Sequence, residues 1–263
     1  MQYLTAAIIL ITATASFTSC NKSDDLSHLY PDSTIVVKYQ DDYQRGQFHK
    51  RVKEFKKNPI GYNKIVFFGN SITYGMRHWD SKFQTNNIVN RGISGDFTQG
   101  ISKRLDEIIY YRPVSIFILI GINDLFRDNT LRPEVTPSYI AKNILDAAKT
   151  IKNGTPETKI YLQTILPINN RHNLMSRTED IRPNYYFLKS DFHPSINQLI
   201  NETNKILIKN NEYDVIDLHS LFLNDNGEMN TSLSDDGIHL NENGYSIWID
   251  KVKPLIDNVN AAN

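Results

Sequence analysis

Five short apolar runs alternate along the chain with longer stretches in which apolar residues recur every three or four positions. The short runs have the length and β-branched content of buried strands; they occupy residues 65–68, 86–90, 114–120, 159–166 and 214–218. The longer stretches have the period of amphipathic helices; they occupy residues 43–57, 97–109, 137–152, 194–209 and 243–256. Strands that alternate with helices pair in parallel through right-handed crossovers. The pattern predicts an α/β fold of three layers, with a five-stranded parallel sheet between two layers of helices.

Two stretches lack this periodicity. Residues 71–83 are polar and aromatic, and we predict a helix that begins at residue 71 and then gives way to a loop. Residues 169–190 are polar, with several arginines and paired tyrosines, and are predicted to form a long loop over the strand ends. Such loops commonly carry substrate contacts. The candidates for substrate binding in these stretches are His78, Arg171, His172 and Arg177.

The first strand ends abruptly in Gly69-Asn70-Ser71, which places the hydroxyl of Ser71 at the carboxyl end of a buried strand. Ligands of open parallel sheets bind at that edge. Serine becomes a nucleophile when a histidine, oriented by a carboxylate, removes its proton. Asp236 and His239 are three residues apart, a spacing that brings two side chains together across one turn. We predict that His239 serves Ser71 as base and that Asp236 orients His239.

Hydrolysis of an ester also needs hydrogen-bond donors aimed at the oxygen that gains negative charge. The candidates are the amide of Ser71, the amide of Gly95 in a glycine turn, and the side-chain amide of Asn123 after the third strand. Gly92 competes with Gly95 for this position. His219, at the end of the fifth strand, competes with His239 for the position of the base.

These strand-end segments, taken together in this order, resemble the conserved blocks of the SGNH, or GDSL-like, hydrolase family across residues 65–245. The segments are FGNSIT at residues 68–73, NRGISGD at 90–96, GIND at 121–124 and DGIH at 236–239. The resemblance implies a flavodoxin-like α/β/α sandwich and an enzyme that hydrolyses carboxylic esters without a cofactor. By the same resemblance, Ser71 is the nucleophile and an oxyanion donor, and Gly95 and Asn123 are further oxyanion donors. His239 is the general base and acid, and Asp236 is the carboxylate that orients His239.

The family pattern bears on two further positions, the glycine that donates to the oxyanion and the residue before the nucleophile. Gly95 is preferred over Gly92 as oxyanion donor because the family's glycine directly precedes an aspartate, which is Asp96 here. Asn70 replaces the aspartate that usually precedes the nucleophile. Asn70 is not the acid of the triad, so activity is still expected. We add Asn70 to the candidates for substrate contact.

Charge and composition exclude some classes of partner and cofactor. Lys plus Arg and Asp plus Glu number 29 each, so no overall field attracts nucleic acid. The single cysteine excludes an intrachain disulfide and a cysteine-based zinc cluster, and no His-Glu-x-x-His motif occurs. We therefore expect no metal and no nucleic-acid partner. A chain of 263 residues suits one catalytic domain.

The N-terminus has a separate signature. Residues 4–17 are apolar or small, too short a run for a transmembrane helix of about 20 residues but suited to a signal peptide. The run leads to Cys20 and resembles a bacterial lipoprotein signal, in which that cysteine is lipidated. We predict a signal peptide at 1–19, a tether at 20–40 and the hydrolase domain at 41–263. The protein is expected to be exported and lipid-anchored to a bacterial membrane, the outer one being favoured, facing the periplasm or the cell surface.

The substrate class follows from resemblance alone. Relatives with this nucleophile block look like carbohydrate O-acetylesterases and platelet-activating-factor-acetylhydrolase-like proteins, which implies an acetylated carbohydrate or another small acyl ester as substrate. Carboxylate-bearing sugars would suit the arginines of the 169–190 stretch, including Arg182. Two alternatives stay open: a lipase or lysophospholipase acting on longer acyl chains, and a glycan-binding lipoprotein without turnover. The sequence leaves the sugar and the oligomeric state open.

Overall fold

The structure of the chain, a computed structural model, describes residues 25–76, 78–126, 132–180 and 182–261. Five strands form its sheet: β1 (Ile65–Gly69), β2 (Ile88–Gly92), β3 (Ser115–Leu119), β4 (Lys159–Gln163) and β5 (Asp214–Ile216). All pair in parallel, in the order β2-β1-β3-β4-β5. Helices cover both sides of this sheet. The predicted three-layer α/β/α fold is confirmed.

The helices follow the strands in the expected alternation. They are α1 (Asp42–Lys57), α2 (Ser71–Gly75), α3 (Trp79–Phe83), α4 (Thr98–Ser102), α5 (Asp106–Tyr111), α6 (Ile122–Leu125), α7 (Pro137–Gly154), α8 (Asn170–Met175), α9 (Ile196–Lys209) and α10 (Glu242–Ala261). Short 3-10 turns lie at Leu26–Leu29, Arg182–Leu188, His219–Phe222 and Thr231–Leu233. Helices α7 and α9 pack against each other.

Aromatic side chains in register build the core on one face of the sheet. Phe67 on β1 lies opposite Phe117 on β3, which lies opposite Tyr161 on β4. Their rings stack with centroids 4.9 and 4.7 Å apart. Trp79 of α3 stacks on Phe67, and Trp248 of α10 meets both edge-on. Because β1 and β3 are buried along their whole length, the turns that follow them begin in the core of the domain.

Some predicted elements differ in extent. The single helix expected at 97–109 is two short helices, α4 and α5, with a break around Arg104. Strand β4 ends at Gln163 rather than 166, because the side chain of Asn204 takes over both backbone hydrogen bonds of Ile165 at 2.8 Å each. The 169–190 stretch, expected to be a loop, contains α8 and a 3-10 turn. The local signal for α8 is Asn169, whose side chain caps it.

The predicted tether is wrong for residues 26–40, because this segment packs on the domain. Leu29 and Val37 are buried, and the hydroxyl of Tyr30 donates a 2.9 Å hydrogen bond to Glu107 on α5. The predicted signal peptide and Cys20 lie outside the described residues. Within the described ranges, no helix combines the length and hydropathy of a membrane span.

Candidate active site

Ser71 occupies the turn between the end of β1 and the start of α2. Gly69 closes the strand, and Ser71 is the first residue of the helix. Asn70 caps that helix, since its side-chain oxygen accepts a 3.0 Å hydrogen bond from the amide of Ile72. Tyr245 of α10 donates a 2.8 Å hydrogen bond to the carbonyl of Ile72. The serine therefore sits at the carboxyl edge of the sheet on a turn held from two sides.

A continuous hydrogen-bonded relay joins Ser71, His239 and Asp236. The Oγ of Ser71 lies 2.9 Å from Nε2 of His239. The Nδ1 of His239 lies 2.8 Å from Oδ2 of Asp236. A carboxylate beside Nδ1 favours the tautomer that carries its proton there, which leaves Nε2 free to accept a proton from serine. The fold thus brings together two groups 168 positions apart in the sequence.

The carboxylate of Asp236 is held in its charged form. Burial alone would raise its pKa, but the hydrogen bond and charge of His239, with the amides of Ile238 and His239, outweigh burial and lower the pKa to about 2. Both amides donate to Oδ1, at 2.9 and 2.8 Å. Asp236 is therefore charged at neutral pH and stabilises a histidine that gains a proton.

The segment that carries Asp236 and His239 is held in place by α8 and by Asn169, the residue that caps α8. Gly237 has a φ of +82°, and a Cβ there would lie 2.6 Å from the carbonyl oxygen of Asn169. The amide of Asn169 donates to the carbonyl of Gly237 at 2.8 Å, and the Asn173 side chain donates to the carbonyl of Asp236 at 3.0 Å. A glycine is required here because both the backbone conformation and the close approach exclude a side chain.

The three predicted oxyanion donors come from three adjacent strand ends. Gly95 has a φ of +75° in the turn after β2, and a Cβ there would lie 2.8 Å from Cγ of Gln44 on α1. The Nδ2 of Asn123, after β3, donates a 2.9 Å hydrogen bond to the carbonyl of Asp96. This bond uses one of its two hydrogens and leaves the other available. Within the described chain, no hydrogen bond occupies the amides of Ser71 and Gly95.

Gly92, the competitor of Gly95, has a different place. Its amide already donates to the side chain of Asn90 at 2.8 Å. A Cβ at Gly92 would lie 2.3 Å from the backbone nitrogen of Tyr74. Gly92 therefore allows β2 and α2 to approach closely, and its amide is not available as an oxyanion donor.

Two buried carboxylates lie next to these donors. Asp96 pairs with Arg104 at 2.9 Å, and burial raises the pKa of Asp96 to about 6 in spite of that pairing. Asp124 accepts hydrogen bonds from the amide and hydroxyl of Thr98, and burial raises the pKa of Asp124 to about 7. Sequence reasoning did not identify Thr98 or Arg104. Their hydrogen bonds are tertiary, and no local pattern marks them.

The candidate substrate contacts differ in burial and in local contacts. Asn70 is 1 % exposed and caps α2, so its side chain shapes the serine turn. His78 and Arg171 are exposed, at the starts of α3 and α8. His172 packs over Gly237, with its Nδ1 buried. Arg177 donates to Asn173 at 3.2 Å and stacks on Tyr185.

His219, the rival base, is in a different setting. It begins the 3-10 turn after β5, is 9 % exposed, and burial lowers its pKa although Asp217 opposes this. The partner of Ser71 is His239. Among the described residues, no group of three or more His, Cys, Asp or Glu side chains is arranged to hold a metal ion.

A family model described as the GDSL-like Lipase/Acylhydrolase family matches residues 67–247, well over half of the chain. The chain belongs to this family. The GDSL-like match begins within β1 and ends within α10. It therefore includes the serine turn, the two further candidate oxyanion donors and the Asp236–His239 segment. The resemblance read from the sequence is confirmed: residues 67–247 belong to a family of lipases and acylhydrolases.

Solved structures share the GDSL-like fold at low sequence identity. A protein from Streptococcus pneumonia described as a platelet activating factor has a TM-score of 0.62 and 23% identity, covering 81% of this chain and 92% of its own. A GDSL-like lipase from Bacteroides thetaiotaomicron has a TM-score of 0.60 and 23% identity, covering 80% and 97%. The acetyl xylan esterase AlAXEase has a TM-score of 0.54 and 21% identity, covering 73% and 99%.

One curated relative is longer than this chain. N-acylneuraminate cytidylyltransferase of Escherichia coli is 25% identical over 214 residues, which are 79% of this chain and 44% of that protein. The chain thus spans less than half the length of this relative. The cytidylyltransferase activity in its name is not carried over to this chain.

Proposed function

We propose that this protein is a serine esterase that removes O-acetyl or other short acyl groups from carbohydrates through an acyl-enzyme on Ser71. The observation that carries the proposal is the relay from Ser71 Oγ to His239 Nε2 at 2.9 Å and from His239 Nδ1 to Asp236 Oδ2 at 2.8 Å. Membership of the GDSL-like Lipase/Acylhydrolase family supports ester hydrolysis. The roles of the individual residues and the substrate are the proposed part.

In the first half-reaction the Oγ of Ser71 attacks the ester carbonyl carbon while His239 Nε2 takes the hydroxyl proton. The carbonyl oxygen becomes an oxyanion, which the amides of Ser71 and Gly95 and the free hydrogen of Asn123 Nδ2 stabilise. The tetrahedral intermediate collapses as the bond to the sugar oxygen breaks. His239 returns the proton to that oxygen, and the free sugar hydroxyl leaves.

In the second half-reaction a water molecule attacks the acyl carbon of the ester on Ser71. His239 takes one proton from that water, and the same three donors stabilise the second oxyanion. Breakage of the bond to Ser71 Oγ releases acetic acid, which ionises to acetate in water, and His239 returns its proton to Ser71. Asp236, whose pKa of about 2 keeps it charged, stabilises the protonated histidine in both halves.

Two findings support a carbohydrate substrate. One structural neighbour is named as an acetyl xylan esterase. The curated relative is named for an N-acylneuraminate, an acylated acidic sugar, which fits the earlier expectation that the arginines near the site suit carboxylate-bearing sugars. Arg171 is exposed on α8, the helix that holds the Asp236 segment. Arg171 is therefore our candidate for binding such a carboxylate.

The chemistry is tested with para-nitrophenyl acetate. We expect Ser71→Ala to lower kcat/KM by at least about a thousandfold with an unchanged unfolding temperature. Ser220→Ala, which removes an exposed hydroxyl after β5, should keep wild-type activity. A fluorophosphonate probe should label wild type at Ser71 and leave Ser71→Ala unlabelled. Equal turnover by the three proteins, or no turnover and no labelling of wild type, contradicts the proposal.

The substrate is tested separately. A series of para-nitrophenyl esters from acetate to decanoate should show the highest kcat/KM for acetate, whereas a preference for decanoate would favour the lipase alternative. Acetylated polysaccharides, neutral and acidic, should then be screened for released acetate. If acidic sugars are preferred, Arg171→Ala should raise KM for them and leave KM for acetylated xylan unchanged.

The location is proposed from the N-terminal sequence, with Cys20 lipidated and the protein anchored outside the cytoplasm. Cys20→Ala should move the protein from the membrane fraction to the soluble fraction. An unchanged distribution would contradict the proposed lipid anchor. It would leave the esterase proposal unaffected, because ester hydrolysis is measured on soluble protein.

A further inference from the structure

Two oxyanion donors of the proposed site, Gly95 and Asn123, lie on different loops, and their separation must be fixed by something between the loops. One link is the hydrogen bond from Asn123 Nδ2 to the carbonyl of Asp96 at 2.9 Å. The second link lies deeper. The carboxylate of Asp124 accepts two hydrogen bonds from Thr98, one from the hydroxyl at 2.6 Å and one from the backbone amide at 3.0 Å.

This second link is buried and directional. Thr98 is 0 % and Asp124 is 2 % exposed. The hydroxyl of Thr98 has one hydrogen, which it gives to Asp124, and it accepts a 3.0 Å hydrogen bond from the side chain of Asn143 on α7. Arg132 donates to the carbonyl of Asp124 at 3.2 Å. When Asp124 is charged, it can only accept, so the hydrogen bonds from α7 through Thr98 to Asp124 have a single orientation.

We propose that Thr98 and Asp124 are positioning residues that lock the glycine turn to the asparagine loop and so fix the distance between the oxyanion donors of Gly95 and Asn123. Each partner directly continues its loop: Thr98 follows Gly95 by three residues, and Asp124 follows Asn123 by one. The inference rests on the proposed esterase function.

The choice of residues supports a role beyond packing. Burying a carboxylate is costly, and an apolar pair of similar volume would fill the same space at lower cost in free energy. A carboxylate, however, accepts both donors of one threonine, which fixes the backbone and the side chain of that residue together. Donors that are held in place before the reaction stabilise the oxyanion without reorganising, and a displacement of about 1 Å can cost on the order of a hundredfold in rate.

The test is a double-mutant cycle between Thr98 and Asn123 on para-nitrophenyl acetate. In the wild-type background, Thr98→Val should lower kcat about tenfold with KM unchanged within twofold. In the Asn123→Ala background, which lacks the donor whose distance is fixed, the same substitution should lower kcat less than about threefold. Equal factors in the two backgrounds would overturn the inference, since a structural effect acts independently of Asn123.

Controls separate positioning from folding. Thr203→Val removes an equally buried hydroxyl, which donates to Leu199 at 2.8 Å within α9, and should leave kcat unchanged. Thr98→Ser keeps the hydroxyl and should retain at least half of wild-type kcat; failure to do so contradicts the inference. If Thr98→Val does not fold, Asp124→Asn replaces it in the cycle, with the same non-additivity expected.

Failure of the inference and failure of the proposed function give different results. If wild type hydrolyses no ester, or Ser71→Ala remains active, the proposed function fails. If wild type is active, Ser71→Ala is inactive and the cycle is additive, the esterase proposal stands and the positioning role of Thr98 and Asp124 falls.

Discussion

At the scale of single residues, Asp236 performs two tasks with its two oxygens. Oδ1 accepts hydrogen bonds from the amides of Ile238 and His239 and so stabilises the turn. Oδ2 accepts a hydrogen bond from Nδ1 of the His239 ring and so fixes the tautomer of that ring. The two tasks are separable by chemistry, because an asparagine retains one acceptor oxygen and replaces the other with a donor.

Asp236→Asn is therefore expected to lower kcat by about a thousandfold to ten-thousandfold, as loss of the orienting carboxylate does in serine hydrolases. The remaining oxygen keeps the turn, while the new NH₂ group cannot accept from Nδ1 and favours the tautomer with its proton on Nε2. Steady-state kinetics with para-nitrophenyl acetate measures the loss. Asp235→Asn, at the exposed neighbouring position, is the matched control and should keep full activity.

Gly95, the candidate oxyanion donor after β2, gives a second prediction at this scale. Gly95→Ala should lower kcat at least about tenfold and destabilise the fold by about 1–2 kcal/mol, the cost of a left-handed alanine. The new Cβ also meets Cγ of Gln44 at 2.8 Å, so the Gln44 side chain or the turn must shift.

Gly227→Ala separates strain from function. Gly227 has the same φ of +75°, and a Cβ there meets nothing within 4 Å. Its substitution should cost a similar free energy of unfolding and leave kcat unchanged. If both variants lose activity equally, the effect on catalysis comes from stability rather than from the Gly95 turn.

At the scale of elements, the break between α4 and α5 shows where sequence periodicity stops being informative. Apolar residues at 97, 101, 105 and 108 predict one helix. The break instead turns the guanidinium of Arg104 inward, where it donates to Asp96, to the carbonyl of Arg91 and to the carbonyl of Gly69. These bonds tie the serine turn to the glycine turn. They depend on residues distant in sequence, so local pattern cannot reveal them.

Arg104→Met should consequently reduce the free energy of unfolding by about 3–5 kcal/mol, because it leaves the buried carboxylate of Asp96 without its partner. Urea denaturation at pH 7 measures this. Lys253→Met removes one partner of an exposed pair with Asp257 on α10 and should change stability by less than about 1 kcal/mol. Losses of equal size would show that the buried Asp96–Arg104 pair contributes no more to the free energy of unfolding than an exposed pair does.

At the scale of the whole molecule, the sequence predicts most where local pattern and global fold agree. Alternating strands and helices predict the sheet, and short sequence motifs identify Ser71, His239 and Asp236, which the fold brings into hydrogen-bonding contact. Prediction fails where a polar segment finds partners on the domain. Residues 26–40 fall within the predicted tether, yet Tyr30 donates a hydrogen bond to Glu107, which also pairs with Arg91 at 2.8 Å. Composition does not encode such contacts.

The buried carboxylate of Asp124 also links the stability of the whole molecule to pH. Burial raises its pKa in the folded state to about 7 from the ordinary 3.8, with Asp96 raising it further and with Thr98 and Arg132 opposing. Between these values the unfolded chain releases the proton and the folded chain keeps it. The free energy of unfolding contributed by this group is therefore full below about pH 4 and is lost as the pH rises through 7.

Asp124→Asn removes this titration, so the stability of wild type should fall relative to the variant as the pH rises from 5 to 7.5 and then level off. Urea midpoints at half-unit intervals measure the difference. Asp236 acts with the opposite sign, but its lowered pKa confines its effect to the range below about pH 4, outside this window. Asp257→Asn, at an exposed position, should run parallel to wild type. A difference between wild type and Asp124→Asn that stays constant with pH would mean that Asp124 is already charged throughout, with Thr98 and Arg132 outweighing its burial.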